Sequence, residues 1–271
     1  HKEYRRQRQM CIRDRNVMIA CLPMYDRPEL RTATDQLWQA IATQLQAGGI
    51  DAPVALSRQA DPAEMWNAPD LLLGMTCGAP YRQYLHQVTS LVGNIDYGLV
   101  KCPPGHYRSH VIVPVDAQFD RLEALRGSRF AYNGKCSESG FWCLERRLGT
   151  METFCGAMTS TGAHQKSVEM VANAEADFAA IDATTWRYIE KSHVGLAGSV
   201  RIIASTAPTP GLPLITRYAD LAPVLHAAVK SAFATVPKVC SALGIAGLVK
   251  LEHKQFMALE RDNTTNKRRN S

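Results

Sequence analysis

The chain has 271 residues, 46% of them hydrophobic and 7% aromatic, with a formal net charge of +6. Residues 1–15 supply +4 and residues 254–271 supply +3, so the body between them is close to −1. That body is large enough for one big domain or two lobes. It lacks the clustered basic face that nucleic acid requires, and it has no apolar run near the ~20 residues needed to span a bilayer.

Residues 1–15 carry no apolar stretch of the signal-peptide kind. They read as a non-native basic leader, with a basic interaction arm as the other reading, and we set them aside from the fold. Val17–Leu22 is an apolar run of strand length. It ends in the loop Pro23-Met24-Tyr25-Asp26, at the carboxyl edge where open α/β sheets bind ligands. From Glu29 to Ala47, Leu30, Ala33, Leu37, Ile41 and Leu45 fall on one helical face, and Gly48-Gly49 stops the helix. Val54–Leu56 is a candidate second strand, and Asp61 caps a short helix. Asp70–Met75 is a further strand, followed by the loop Thr76-Cys77-Gly78. Val88–Ile95 and Tyr107–Pro114 are also strand candidates.

Arg129–Tyr132 then leads into Asn133-Gly134-Lys135-Cys136-Ser137-Glu138-Ser139-Gly140, and helical spacing resumes from Phe141 to Leu148. Two serines and a glycine therefore sit where a strand hands over to a helix. The first turn of a helix has unpartnered N–H groups and roughly +0.5 charge, so this is either an anion site or an ordinary Ser cap. Lys135 and Glu138 read as solvated loop charges. His164 opens the next helix. Phe178–Asp182 is a buried strand ending in a carboxylate that either lines a site or caps the helix through Thr184 or Thr185. Trp186 reads as core. Val200–Ala204 is a strand, Thr206–Pro213 a crossover or hinge, and Leu221–Ala234 and Pro237–Leu248 closing helices. Residues 258–271 read as a disordered tail.

Strands alternate with helices, which defines an α/β chain with mostly parallel sheets. There is no Walker loop, GxGxxG or GxSxG in the sequence. The eight cysteines include no zinc spacing. Cys77 and Cys102, in neighbouring loops, are a candidate disulfide, the alternative being that most cysteines are small buried hydrophobes. Tyr25, Thr76, Ser137, Ser139 and His164 each stand in a strand-end loop, and Asp182 adds one carboxylate. Such a set suits a tetrahedral oxyanion held by directed hydrogen bonds, each contributing about 1.5–3 kcal/mol to a charged ligand. The dull readings are a packing Tyr25, a capping or surface His164 and a capping Asp182.

The order Asn133-x-x-x-Ser137-x-Ser139-Gly140, Thr161-Gly162-x-His164-x-x-Ser167 and Ala176-Asp177-x-Ala179-Ala180-Ile181-Asp182-x-x-Thr185-Trp186 resembles the PhnD family. These are the phosphate, phosphite and phosphonate-binding proteins of ABC importers. Leu22–Asp26 and Pro69–Gly78 are similar to it too. The resemblance implies a type II periplasmic-binding-protein fold, two α/β lobes with the ligand in the cleft between them. Lobe one would comprise 16–110 and 204–257, and lobe two 111–203. Ser137, Ser139 and His164 would hold phosphoryl oxygens from lobe two, with Asp182 beside them and Tyr25 and Thr76 reaching in from lobe one. It further implies an extracytoplasmic, periplasmic or membrane-associated monomer that serves a permease and its ATPase, without cofactor or metal. The alternative is an enzyme of the same fold, such as a thiamine pyrimidine-precursor synthase-like protein.

Overall fold

The computed structural model describes residues 18–259; the leader 1–15 and most of the expected tail fall outside them. Among the described residues, twelve strands form two five-stranded sheets and one short ribbon. In chain order they are β1 (Ile19–Cys21), β2 (Leu71–Met75), β3 (Ser90–Asp96), β4 (His106–Tyr107), β5 (Ser109–Pro114), β6 (Arg129–Tyr132), β7 (Ala157–Ser160), β8 (Phe178–Asp182), β9 (Val200–Ser205), β10 (Thr209–Pro210), β11 (Pro213–Thr216) and β12 (Gly247–Val249). The first sheet has the order β1-β2-β11-β3-β12 and the second β7-β6-β8-β5-β9. The chain passes between them through β4 and β10, which pair antiparallel with Thr209 opposite Tyr107.

Both sheets are mixed, against the expectation of mostly parallel strands. β1 is parallel to β2, and β6 is parallel to β7 and β8. β5, arriving from the other lobe, runs antiparallel to β8 and β9. β11, returning, inserts antiparallel between β2 and β3. A strand that enters a sheet from the crossover side meets the local βα units head-on, and this reverses its direction.

The helix Arg31–Ala47 forms as its spacing predicts. Thr34, Leu37, Trp38, Ile41, Ala42 and Leu45 face the core of the first lobe, and each large apolar side chain buried there stabilises by about 1.5–3 kcal/mol. Gly49 follows at φ +80°, a conformation that glycine adopts without steric cost. In the second lobe, Phe130 and Tyr132 share one face of β6, because strand side chains alternate with period two. Phe130 stacks on Phe178 of β8, its register partner, with centroids 4.8 Å apart.

Two expected elements take other forms. Val54–Leu56 is a loop with Val54 at the surface. Its carbonyls are taken by the helix beside it, Trp38 Nε1 donating to Pro53 O at 3.0 Å and Gln39 Nε2 to Val54 O. The helix from Pro237 ends at Ala242, Gly244 turns at φ +61°, and β12 continues antiparallel onto β3. Among the described residues no helix is long and apolar enough to cross a membrane.

Candidate functional site

β7, β6 and β8 lie side by side, and each delivers one part of the site from its carboxyl end. After β6, Ser137 caps the following helix, its Oγ accepting from Gly140 N at 3.0 Å. The first turn, Glu138–Trp142, is a wide π turn, and Trp142 N reaches back to Ser137 O. This widening turns Ser139 inward. Its carbonyl is held by Ser109 Oγ at 2.7 Å and Cys143 Sγ at 2.9 Å. After β7, Gly162 turns at φ +80° and His164 opens the helix His164–Ala172. Thr161 braces that turn through Ser167 Oγ at 2.7 Å. Ser139 Oγ and His164 Nε2 meet at 3.0 Å. After β8, Asp182 Oδ1 accepts from Thr184 N at 2.6 Å and Thr185 N at 3.0 Å.

A cavity of about 470 Å³ lies between these loops and the other lobe. Lobe two contributes Asn133, Ser137, Ser139, His164, Gln165, Asp182 and Thr185. Lobe one contributes Tyr25, Arg27, Trp66 and Leu212 with several prolines. The lobes are tied across it: Tyr25 Oη donates to Asp182 Oδ2 at 2.6 Å, and Arg27 Nη2 donates to Gln165 Oε1 at 2.8 Å. Asp182 therefore both caps its helix and lines the cleft.

Burial sets the electrostatics. It pushes the His164 imidazole down to about 4, so at neutral pH the ring is uncharged. It pushes the Asp182 carboxyl up, partly offset by the Tyr25 hydroxyl and the two backbone amides. The Tyr25 phenol is raised well above its ordinary value by burial and by Asp182, so it stays a donor. Arg27 is the one cation in the lining among the described residues, and Glu29 Oε1 already pairs with it at 2.6 Å. The site thus offers hydroxyls, an imidazole and the partnerless first-turn amides of the helix at His164, with little free positive charge. Among the described residues no group of three metal-ligating side chains is present.

Five of the six expected site residues line this cavity; Thr76 does not. It is fully buried just after β2, its backbone N held by Pro213 O at 3.0 Å and its hydroxyl without a hydrogen-bond partner among the described residues. The expected Cys77–Cys102 disulfide is absent, and both thiols are free. Cys77 Sγ faces Glu138 N at 3.4 Å and Cys102 Sγ faces Arg108 Nε at 3.3 Å, so each points to its own partner. Glu138 is no solvated charge. It is 1% exposed and joins Arg82 of lobe one, at 2.9 Å, to Arg146 of lobe two. Arg27, Gln165, Asn133, Thr185 and Trp66 were not in the expected set. Asn133 and Thr185 stand inside the quoted motifs, whereas nothing local to the chain singles out Arg27, Gln165 or Trp66.

Two α/β lobes around a polar cleft define the class of two-lobed solute-binding proteins. The family model described as "ABC transporter, phosphonate, periplasmic substrate-binding protein" matches residues 19–256. The chain belongs to that family, and is a substrate-binding protein of an ABC transporter rather than an enzyme such as the thiamine-precursor synthase considered above. Among solved structures it is similar to PhnD1 from Prochlorococcus marinus in complex with methylphosphonate (TM-score 0.71, 14% identity, 93% of this chain and 98% of that one). It is similar too to a binding-protein component of a phosphonate transporter from Pseudomonas aeruginosa (TM-score 0.69, 14%, 93% and 87%). A third is the aliphatic sulphonate-binding protein SsuA from Escherichia coli (TM-score 0.59, 14%, 94% and 87%). At these identities the likeness is one of fold. A comparison with curated proteins finds no match.

Proposed function

We propose that the cleft captures the phosphoryl head of a phosphonate, or of the related oxyanions phosphite and phosphate, and presents it to an ABC permease and its ATPase. The observation that carries this reading is the meeting of Ser139 Oγ and His164 Nε2 at 3.0 Å in a cleft shared with Ser137 and the start of the helix at His164. Ser137, Ser139 and Thr185 hydroxyls, His164 and the helix amides hold the oxygens, and Asp182 accepts from a protonated one. A carboxylate at that place repels a fully ionised ligand, which is specificity by exclusion. The methylphosphonate bound by PhnD1 from Prochlorococcus marinus supports the same chemistry. Closure of the two lobes buries the ligand and forms the surface a permease reads. The family is periplasmic, and we place this protein in that compartment as a monomer.

Calorimetric titration of the full chain with phosphate, phosphite, methylphosphonate, 2-aminoethylphosphonate and sulfate tests it. The expected result is micromolar binding, about −8 kcal/mol, to a phosphorus ligand, lost in Ser139→Ala and in His164→Ala. Binding of sulfate alone, or of none of the five by folded protein, overturns it. Light scattering on the eluting protein tests the monomer.

A further inference from the structure

The cleft is much larger than an oxyanion. A tetrahedral head takes roughly the space of two or three waters, about 60–90 Å³, whereas the cavity measures about 470 Å³. The polar groups that suit the head sit on the lobe-two side. The facing side carries Met24, Pro28, Pro62, Trp66 and Leu212. Trp66 is a fixed platform: its Nε1 donates to Met75 O at 2.9 Å, so the one polar atom of the indole is turned away and already satisfied. Aromatic and proline surfaces of this kind favour apolar area and give no directed partner to a charge.

The charged groups in the lining point the same way. Among the described residues, Asp182 is the one carboxylate lining the cleft, and both its oxygens are committed, to Tyr25 and to the amides of Thr184 and Thr185. Glu29 pairs with Arg27 and lies outside the lining. An ammonium on the substituent would lose its water against the apolar wall, where no acid among the described residues lines the cleft, and would compete with the phosphoryl head for Asp182 while sharing the cleft with the Arg27 guanidinium.

We propose that the ligand of this cleft is a phosphonate with an uncharged apolar substituent, aryl or branched alkyl, lying against Trp66 and the proline wall, and that aminophosphonates are discriminated against. This rests on the reading of the cleft as a phosphoryl site. The test titrates the full chain with methylphosphonate, phenylphosphonate, benzylphosphonate and 2-aminoethylphosphonate. One of the two aryl ligands is expected to bind at least ~10-fold more tightly than 2-aminoethylphosphonate, equivalent to about 1.4 kcal/mol, and more tightly than methylphosphonate. Trp66→Ala is expected to remove most of that aryl advantage, read as the ratio of aryl to methylphosphonate affinity in the same variant, with its urea unfolding midpoint reporting the fold. If Trp66→Ala does not fold, Met24→Ser on the same wall takes its place. Equal or tighter binding of 2-aminoethylphosphonate, or an aryl advantage untouched by the wall variant, overturns the substituent assignment and leaves the phosphoryl site standing. No binding of any of the four by folded protein overturns the substituent assignment, and the phosphoryl reading falls with it when phosphate and phosphite also fail to bind.

Discussion

Tyr25 Oη donates to Asp182 Oδ2 at 2.6 Å, joining two lobes through residues 157 positions apart. Asp182 is 3% exposed, and its other oxygen caps the helix behind it. The bond therefore satisfies a desolvated carboxylate and fixes the spacing of the lobes at the floor of the cleft. Tyr25 is itself held by edge contacts to Tyr97 and Tyr188, at 5.1 and 5.9 Å between centroids.

Tyr25→Phe keeps those ring contacts and removes the donor alone. One oxygen of Asp182 is then buried without a partner, which costs about 1–3 kcal/mol. Urea unfolding of the variant should show a loss in that range. A loss below ~0.5 kcal/mol, the usual effect of a surface change, would mean that the carboxylate is solvated in solution.

Glu138 makes a stronger case. Its carboxylate compensates Arg82 and Arg146, which are 4% and 10% exposed. Removing one partner of a buried ion group costs about 3–5 kcal/mol, because Arg82 and Arg146 lose the carboxylate that sits between them in a desolvated place. Glu138→Gln should destabilise in that range, whereas Glu152→Gln, which breaks the exposed pair with Lys135, should change stability by about 1 kcal/mol or less. Similar effects from both substitutions would sink the assignment.

Gly140 is required by close approach. A Cβ there would stand 1.8 Å from Asn133 Oδ1 and 3.1 Å from His164 Cε1, so both side chains would have to move. Gly134, in the same loop, meets nothing within 4 Å. Gly140→Ala should weaken ligand binding by at least ~10-fold, or about 1.4 kcal/mol, and Gly134→Ala should leave it unchanged. Calorimetry on the pair decides.

His164 supplies a pH signature. Its folded pKa is lowered to about 4 from 6.5 by burial. Between these values the unfolded chain binds a proton that the folded protein refuses, so stability falls as the pH falls through that window. The full effect is about 3 kcal/mol. Asp182, raised by burial, acts in the opposite direction over the acid range, so the comparison is with a variant. The urea midpoint of the wild type should drop more steeply from pH 7 to pH 4 than that of His164→Gln. Parallel curves would show that the imidazole is accessible to water.

What can be read along the chain is what short-range pattern controls. The apolar face of Arg31–Ala47, the buried runs of β2 and β8, and the strand-to-helix loops at Ser137, His164 and Asp182 follow from spacing, capping and turn chemistry within a few residues. The ordered motifs around them carried the family and, with it, the two-lobed fold. The interlobe relations were decided by tertiary structure, because they depend on groups far apart in sequence: Tyr25 on Asp182, Arg82 on Glu138, Arg27 on Gln165. Glu138 looks like a loop charge until Arg82 is brought to it. Thr76 stands in a strand-end loop by sequence, and only the return of Pro213 to its backbone shows it buried outside the cleft lining, while Cys77 looks paired until Glu138 N is found at its sulfur. Val54–Leu56 has the composition of a strand, but side chains of the adjacent helix reach its carbonyls at Pro53 and Val54 first. Local propensity proposes each element, and the competition among distant partners for the same buried polar groups disposes of it.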